Sequence, residues 1–169
     1  MRPPFEPPSQ QDIDTVSRQL GRPARDVVGI AARCVCGAPT VVSTRPRLSD
    51  GTPFPTFYYL THPAATAAVS TLEATGRMPR LAALLDPAAP EPGIADSYRA
   101  AHLAYIADRQ TIAEIPELHD VSAGGMPDRV KCLHAVVAHS LAAGPGLNPI
   151  GDLALAMAGW TPAVCACVE

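Results

Sequence analysis

Five cysteines carry most of the chemistry this sequence could do. They fall as Cys34-x-Cys36, a single Cys132, and Cys165-x-Cys167. If a strand runs through Cys34 and Cys36, both thiols point to one face. If they lie in a turn, Gly37 lets the backbone bend towards a bound ion. The C-terminal pair repeats the arrangement. With Cys132 there is enough sulfur for a closed tetrahedral zinc site or an iron–sulfur cluster. The spacing matches no standard zinc ribbon. The competing reading makes Cys132 a core hydrophobe and leaves the tail pair idle.

Histidine offers further ligands. His62, in Leu60-Thr61-His62-Pro63, sits where a strand hands over to a helix, a place where two rigid elements hold a side chain. His134 and His139 fall in the segment Ser122–Pro149, which also contains a glycine turn, Cys132 and the sole lysine. A helix is predicted over residues 127–143, with Val130, Leu133, Val137 and Leu141 forming its apolar stripe. On that helix Cys132 and His139 share a direction but stand ~10 Å apart along the axis. Cys132 and His134 point nearly oppositely, which counts against a nucleophile–base pair. Cys132 therefore needs partners from elsewhere, and the two Cys-x-Cys segments are the obvious candidates. A neutral core role is the commoner fate of such histidines. His102 and His119 read as surface or linker residues.

The same stretch permits a second chemistry. Gly124 and Gly125 precede the predicted helix start at Pro127, where free backbone N–H groups could hold a small anion such as phosphate or carboxylate. Arg129 and Lys131 add positive charge nearby. The ending of a P-loop is absent. An enzyme built on Cys132 and this glycine turn is the alternative to metal binding, and it lacks an evident activating partner.

The elements that must position these groups follow from the pattern. Residues 1–8 form a proline-rich arm, and residues 9–169 a single domain large enough for its own core. Ser9 and Asp12 resemble an N-cap pair ahead of Ile13, Val16 and Leu20, and Gly21 with Pro23 closes that helix. Strands are predicted over 27–33, 40–44 and 56–60, the last the strongest signal. Pro63 opens a helix that stops at Gly76. A weaker piece spans 80–86. An amphipathic helix runs over 94–114 with Arg99, Asp108 and Arg109 on its polar face, and a last helix reaches from Asn148-Pro149 to Trp160. The sum is an α+β fold: a small, mainly antiparallel three-stranded sheet packed with four to six helices.

Composition excludes some functions. The formal charge of -3 leaves no basic surplus to neutralise phosphates, so no nucleic-acid partner is expected. No apolar run is long enough to span a membrane, and the N-terminus lacks the apolar middle of a signal peptide. A cytoplasmic location is expected, where thiols are ligands or reactive groups before they are disulfides. Twelve of the thirteen basic residues are arginine, a coding bias that lowers the weight of any one of them.

Three phrases carry a resemblance: residues 51–61, Gly-Thr-Pro-Phe-Pro-Thr-Phe-Tyr-Tyr-Leu-Thr; residues 129–134, Arg-Val-Lys-Cys-Leu-His, with Ala138-His139; and Asn148-Pro149-Ile150-Gly151. Over residues 10–167 the chain resembles the bacterial family called domain of unknown function 501. The resemblance implies a ligand set of Cys34 or Cys36, the position of His62 (cysteine in some members), Cys132, and Cys167 or Cys165. Members are often encoded near a septum-formation protein and an exopolyphosphatase. That association leaves room for a protein partner and a non-catalytic role connected with cell division.

Overall fold

The computed structural model describes residue 3 and residues 5–167. Residues 1, 2 and 4 of the expected arm, and 168 and 169 of the tail, lie outside the described residues. The fold is α+β. A three-stranded antiparallel sheet, β1 (Val27–Arg33), β2 (Pro39–Thr44) and β3 (Tyr58–Leu60), has the order β1-β2-β3. Among the described residues there are six α-helices: α1 (Gln10–Leu20), α2 (Pro63–Ala74), α3 (Met78–Ala83), α4 (Ile94–Gln110), α5 (Leu133–Ala143) and α6 (Pro149–Ala158).

Strand β2 is central and buried along its whole length, as a strand covered on both faces must be. Successive residues serve opposite faces. Val42, paired with Ile30 and Tyr59, packs against Val16 and Leu20 of α1. Val41, paired with Leu60, belongs to the larger core built from α2, α4, α5 and α6. The arm contributes to that core through buried Phe5, and the Ile30 amide donates to the Glu6 carbonyl at 3.0 Å.

Helix α1 begins with a full capping box between Ser9 and Asp12 and ends on Gly21 in the left-handed conformation. Asp12 also joins helix to sheet. Arg33 Nη1 reaches Asp12 Oδ1 at 2.7 Å, and Nη2 reaches Oδ2 at 3.1 Å. This fork, ahead of the Ser9 bonds, holds the Asp12 carboxyl well below its ordinary range despite burial. A depressed folded pKa stabilises the fold above the unfolded value, near pH 4, and the benefit fades as pH falls below it. Asp12→Asn is expected to cost about 2 kcal/mol at pH 7. Urea unfolding of both proteins at pH 7 and pH 3 should show that gap closing at the lower pH.

Helix α4 departs from its predicted pattern. Asp108 and Arg109 are not on a solvated face; each is 2% exposed. Tyr58 donates to Asp108 Oδ2 at 2.7 Å, while Arg109 donates to the carbonyls of Leu118 and Val121. Tyr105 Oη accepts the Phe57 amide at 2.6 Å. The end of α4 thus supplies the hydrogen bonds that the irregular chain around Pro55–Phe57 and 118–121 cannot make for itself. Ile112, within the predicted span 94–114, lies past the end of α4 at Gln110 and is 38% exposed.

The largest departure is the start of α5. The helix begins at Leu133, with Cys132 as its extended N-cap, instead of at Pro127. The chain loops back on the glycine turn first. Gly124 O accepts from Lys131 N at 2.7 Å and Gly125 O accepts from Arg129 N at 2.9 Å. A Cβ on Gly125 would lie 2.7 Å from the Arg129 carbonyl oxygen, so the loop closes only around glycine. Val130 is buried from this loop, and its place in the apolar stripe disguised the boundary.

Candidate metal centre

Cys34 follows directly on β1. Its N–H donates to Ala38 O and its carbonyl accepts from Gly37 N, each at 2.8 Å, so residues 34–38 form the tight link between β1 and β2. Cys34 is buried and Cys36 exposed. After α6 the left-handed cap at Gly159 turns the chain back across this link, where Val35 N donates to Pro162 O at 2.9 Å. That bond delivers Cys165 and Cys167 to the hairpin.

The four sulfurs of Cys34, Cys36, Cys165 and Cys167 lie within 4.8 Å of one another, close enough to hold a metal ion together. Cys36 Sγ and Cys167 Sγ are 3.4 Å apart. His62 approaches from the start of α2, where its ring caps the helix by accepting from Ala65 N at 3.4 Å through Nδ1. That bond leaves Nε2 to carry the hydrogen, 3.1 Å from Cys167 Sγ. Trp160 lies against the imidazole with ring centroids 5.1 Å apart. Burial keeps His62 below its ordinary pKa, and a neutral ring is the form that donates one hydrogen and accepts another.

The thiols differ in acidity. The Ala38 amide, followed by the neighbouring thiols, brings Cys36 down to about 7. Burial, followed by Cys36, pushes Cys167 well above the ordinary thiol range. One sulfur ionises readily and the next resists, as expected where negative charges are crowded together.

Cys132 is not among the four. Its neighbours are Glu73 and His134, and the three offer ligand atoms within 4.8 Å of one another. The expected opposition of Cys132 and His134 fails because Cys132 is extended at the N-cap and only His134 is helical. Their contact lowers the Cys132 pKa against the opposing effect of burial and raises that of His134. The Ala135 amide also favours the thiolate, though too loosely for a formed cap bond.

Gly124, Gly125, Arg129 and Lys131 line one large cavity, of 1120 Å³, together with Cys132 and His134. They do not stand at a helix N-terminus. Gly124 and Gly125 turn carbonyls to their own loop, and the first amide of α5, Leu133 N, donates to Glu73 Oε1 at 2.7 Å. The anion at this helix start is a carboxylate of the chain itself.

His139 belongs to neither group. It is buried, stacks on Tyr58 at 5.5 Å and accepts from Asn148 Nδ2 through Nδ1 at 3.2 Å. His102 is buried as well, with Nδ1 2.8 Å from Ser122 Oγ, which corrects its assignment to the surface. His119 is exposed beside Asp120.

A family model described as protein of unknown function (DUF501) matches residues 30–156. The chain belongs to the DUF501 family. The match includes Cys34, Cys36, His62, Glu73, Cys132 and His134 and ends before Cys165 and Cys167. No curated protein and no solved structure matches this DUF501 chain. No helix among its described residues is long and apolar enough to cross a membrane.

Sequence reasoning missed Glu73. It is the only charged residue of α2 and sits in the last turn, where the helix dipole disfavours an acid. An acid kept at that position was a signal for a partner elsewhere.

Proposed function

We propose that this DUF501 protein holds one zinc ion between Cys34, Cys36, Cys165 and Cys167, as a clamp fastening the C-terminal tail to the β1–β2 link. The observation that carries this reading is the mutual proximity of the four sulfurs within 4.8 Å. Thiolates at the usual Zn–S distance around one tetrahedral ion are ~3.8 Å apart. An iron–sulfur cluster distributes its cysteines over two or more iron ions and needs wider separation, so the compact group favours a mononuclear site. Four protein ligands leave no open position, which is the mark of a structural centre. In this reading His62 orients the site, its Nε2–H donating to Cys167 as second-shell groups do around ligating residues.

Protein purified without oxygen and without added metal is expected to be colourless and to contain one zinc per chain in elemental analysis. Cys36→Ser with Cys167→Ser should remove that zinc. Absorption near 400 nm with stoichiometric iron would replace zinc by an iron centre. Folded, metal-free protein with a Cys36–Cys167 disulfide would overturn the metal reading.

A further inference from the structure

Glu73, Cys132 and His134 lie outside the four-cysteine group, and their arrangement raises a separate question. His134 Nε2 is 3.2 Å from Thr66 O, an atom that can only accept, and 3.1 Å from Ser70 Oγ. The ring hydrogen of a neutral imidazole therefore sits on Nε2, and the lone pair on Nδ1. That lone pair faces Glu73 Oε1 at 3.3 Å, another acceptor, and the Cys132 sulfur completes a group whose ligand atoms lie within 4.8 Å of one another. With the ring neutral, the three groups hold no hydrogen between them except the thiol's, and a metal ion would take the place of the proton that a charged ring gives to Glu73. The Nδ1–Oε1 separation equals the edge of a tetrahedron around zinc, ~3.3–3.4 Å for ligands at about 2.0–2.1 Å. Nε2–H donating to a backbone carbonyl is the usual second-shell partner of a ligating histidine.

A Cys–His–Glu catalytic triad fits less well. It needs one ring nitrogen for the nucleophile and the other for the carboxylate. Here Nε2 is taken by Thr66 and Ser70, which leaves Nδ1 alone to serve both thiol and carboxylate.

We propose that Glu73, Cys132 and His134 form a second metal site, open where the first is closed, for a divalent transition ion such as zinc. Three protein ligands leave a fourth position for water or an exogenous donor, the composition of a catalytic centre. Cys132 and His134 line the 1120 Å³ cavity, so the space for that fourth ligand exists, and Arg129 and Lys131 on the same walls favour an anionic one. Mixed sulfur, nitrogen and oxygen donors suit zinc or its cobalt substitute and disfavour magnesium or calcium.

The test is a titration of reduced, metal-free full-length protein with Co²⁺, counting equivalents and following the visible spectrum. Wild type is expected to bind two equivalents with different spectra. Cys132→Ser and His134→Ala should each bind one, with affinity for the second lowered by at least ~10-fold. Both variants leave the Glu73 carboxylate on the α5 amide, and Cys132→Ser also leaves the His134 bonds to α2, with circular dichroism checking the fold of each. The double variant Cys36→Ser, Cys167→Ser should keep the equivalent bound at Glu73. Retention of two full equivalents in both Cys132→Ser and His134→Ala overturns the second site, as does complete loss of cobalt binding in the double variant. If wild type and the double variant each bind one equivalent, the four-cysteine reading fails and the second site stands.

Discussion

On the proposed function, stripping the metal from the four-cysteine centre with a chelator is expected to lower the melting temperature of this DUF501 protein by about 10 °C. An ion that binds the folded chain and not the unfolded one stabilises by about 4 kcal/mol when its free concentration is 1,000 times its dissociation constant. For a chain of this size each kcal/mol moves the midpoint by roughly 2–4 °C. The unfolded chain cannot bind comparably, because Cys36 and Cys167 are 131 residues apart and closing that loop is entropically costly. Cys36→Ser with Cys167→Ser should reproduce the effect of a chelator, and the chelator should then do nothing further. The damage should be graded along the chain. Among the described residues the Val35–Pro162 backbone bond, the Cys cluster, the His62–Cys167 contact and Trp160 against His62 hold the tail, whereas the sheet and α5 have a core of their own. Hydrogen exchange is therefore expected to rise first in residues 161–167 and 34–38. An unchanged melting temperature in both chelated wild type and the double variant would remove the clamp.

Gly151→Ala is expected to cost about 3 kcal/mol, although by helix propensity alone alanine in α6 would gain up to ~1 kcal/mol. Packing outweighs propensity here. A Cβ at Gly151 would run into the Val136 carbonyl oxygen and Ser140 Oγ, and its 2.9 Å approach to the Val136 carbonyl carbon leaves no room either. The obstacle is the backbone of α5, which cannot rotate away as a side chain would. To make room α6 must lift off α5, and that strains two bonds joining them: Ser140 Oγ to Asn148 O at 3.1 Å, and Asn148 Nδ2 to His139 Nδ1 at 3.2 Å. Urea unfolding should show the loss as a lower midpoint with an unchanged slope. An equal or higher midpoint would mean that α5 and α6 do not pack as closely as described. Because α6 leads into the tail, this variant should also weaken retention of the proposed metal at the four-cysteine group.

Much of the molecule was legible locally. The Ser9–Asp12 box, the Pro63 and Pro149 helix starts, Gly21 as a stop and the aromatic strand signal near Tyr58 each describe a preference between residues a few positions apart. The structure obeys them. Where local signals were ambiguous they misled. Val130 kept the helical period but belongs to a loop, and Asp108 and Arg109 are polar but buried, because non-local backbone groups needed their hydrogen bonds.

What the sequence alone determined about the site is its chemistry. Two Cys-x-Cys pairs of soft donors, a histidine at a strand–helix junction and a further cysteine beside a histidine are a metal-binding inventory whatever their arrangement. Partnership was decided by the tertiary structure. The expectation of one site drawing on all six residues gave way to a four-sulfur group with His62 beside it, and a distinct group of Glu73, Cys132 and His134. The physical reason is that a cysteine's partner depends on where elements dock. The turn at Gly159 and the Val35–Pro162 bond bring the tail to the hairpin, and the late start of α5 at Leu133 turns Cys132 towards His134 and the end of α2.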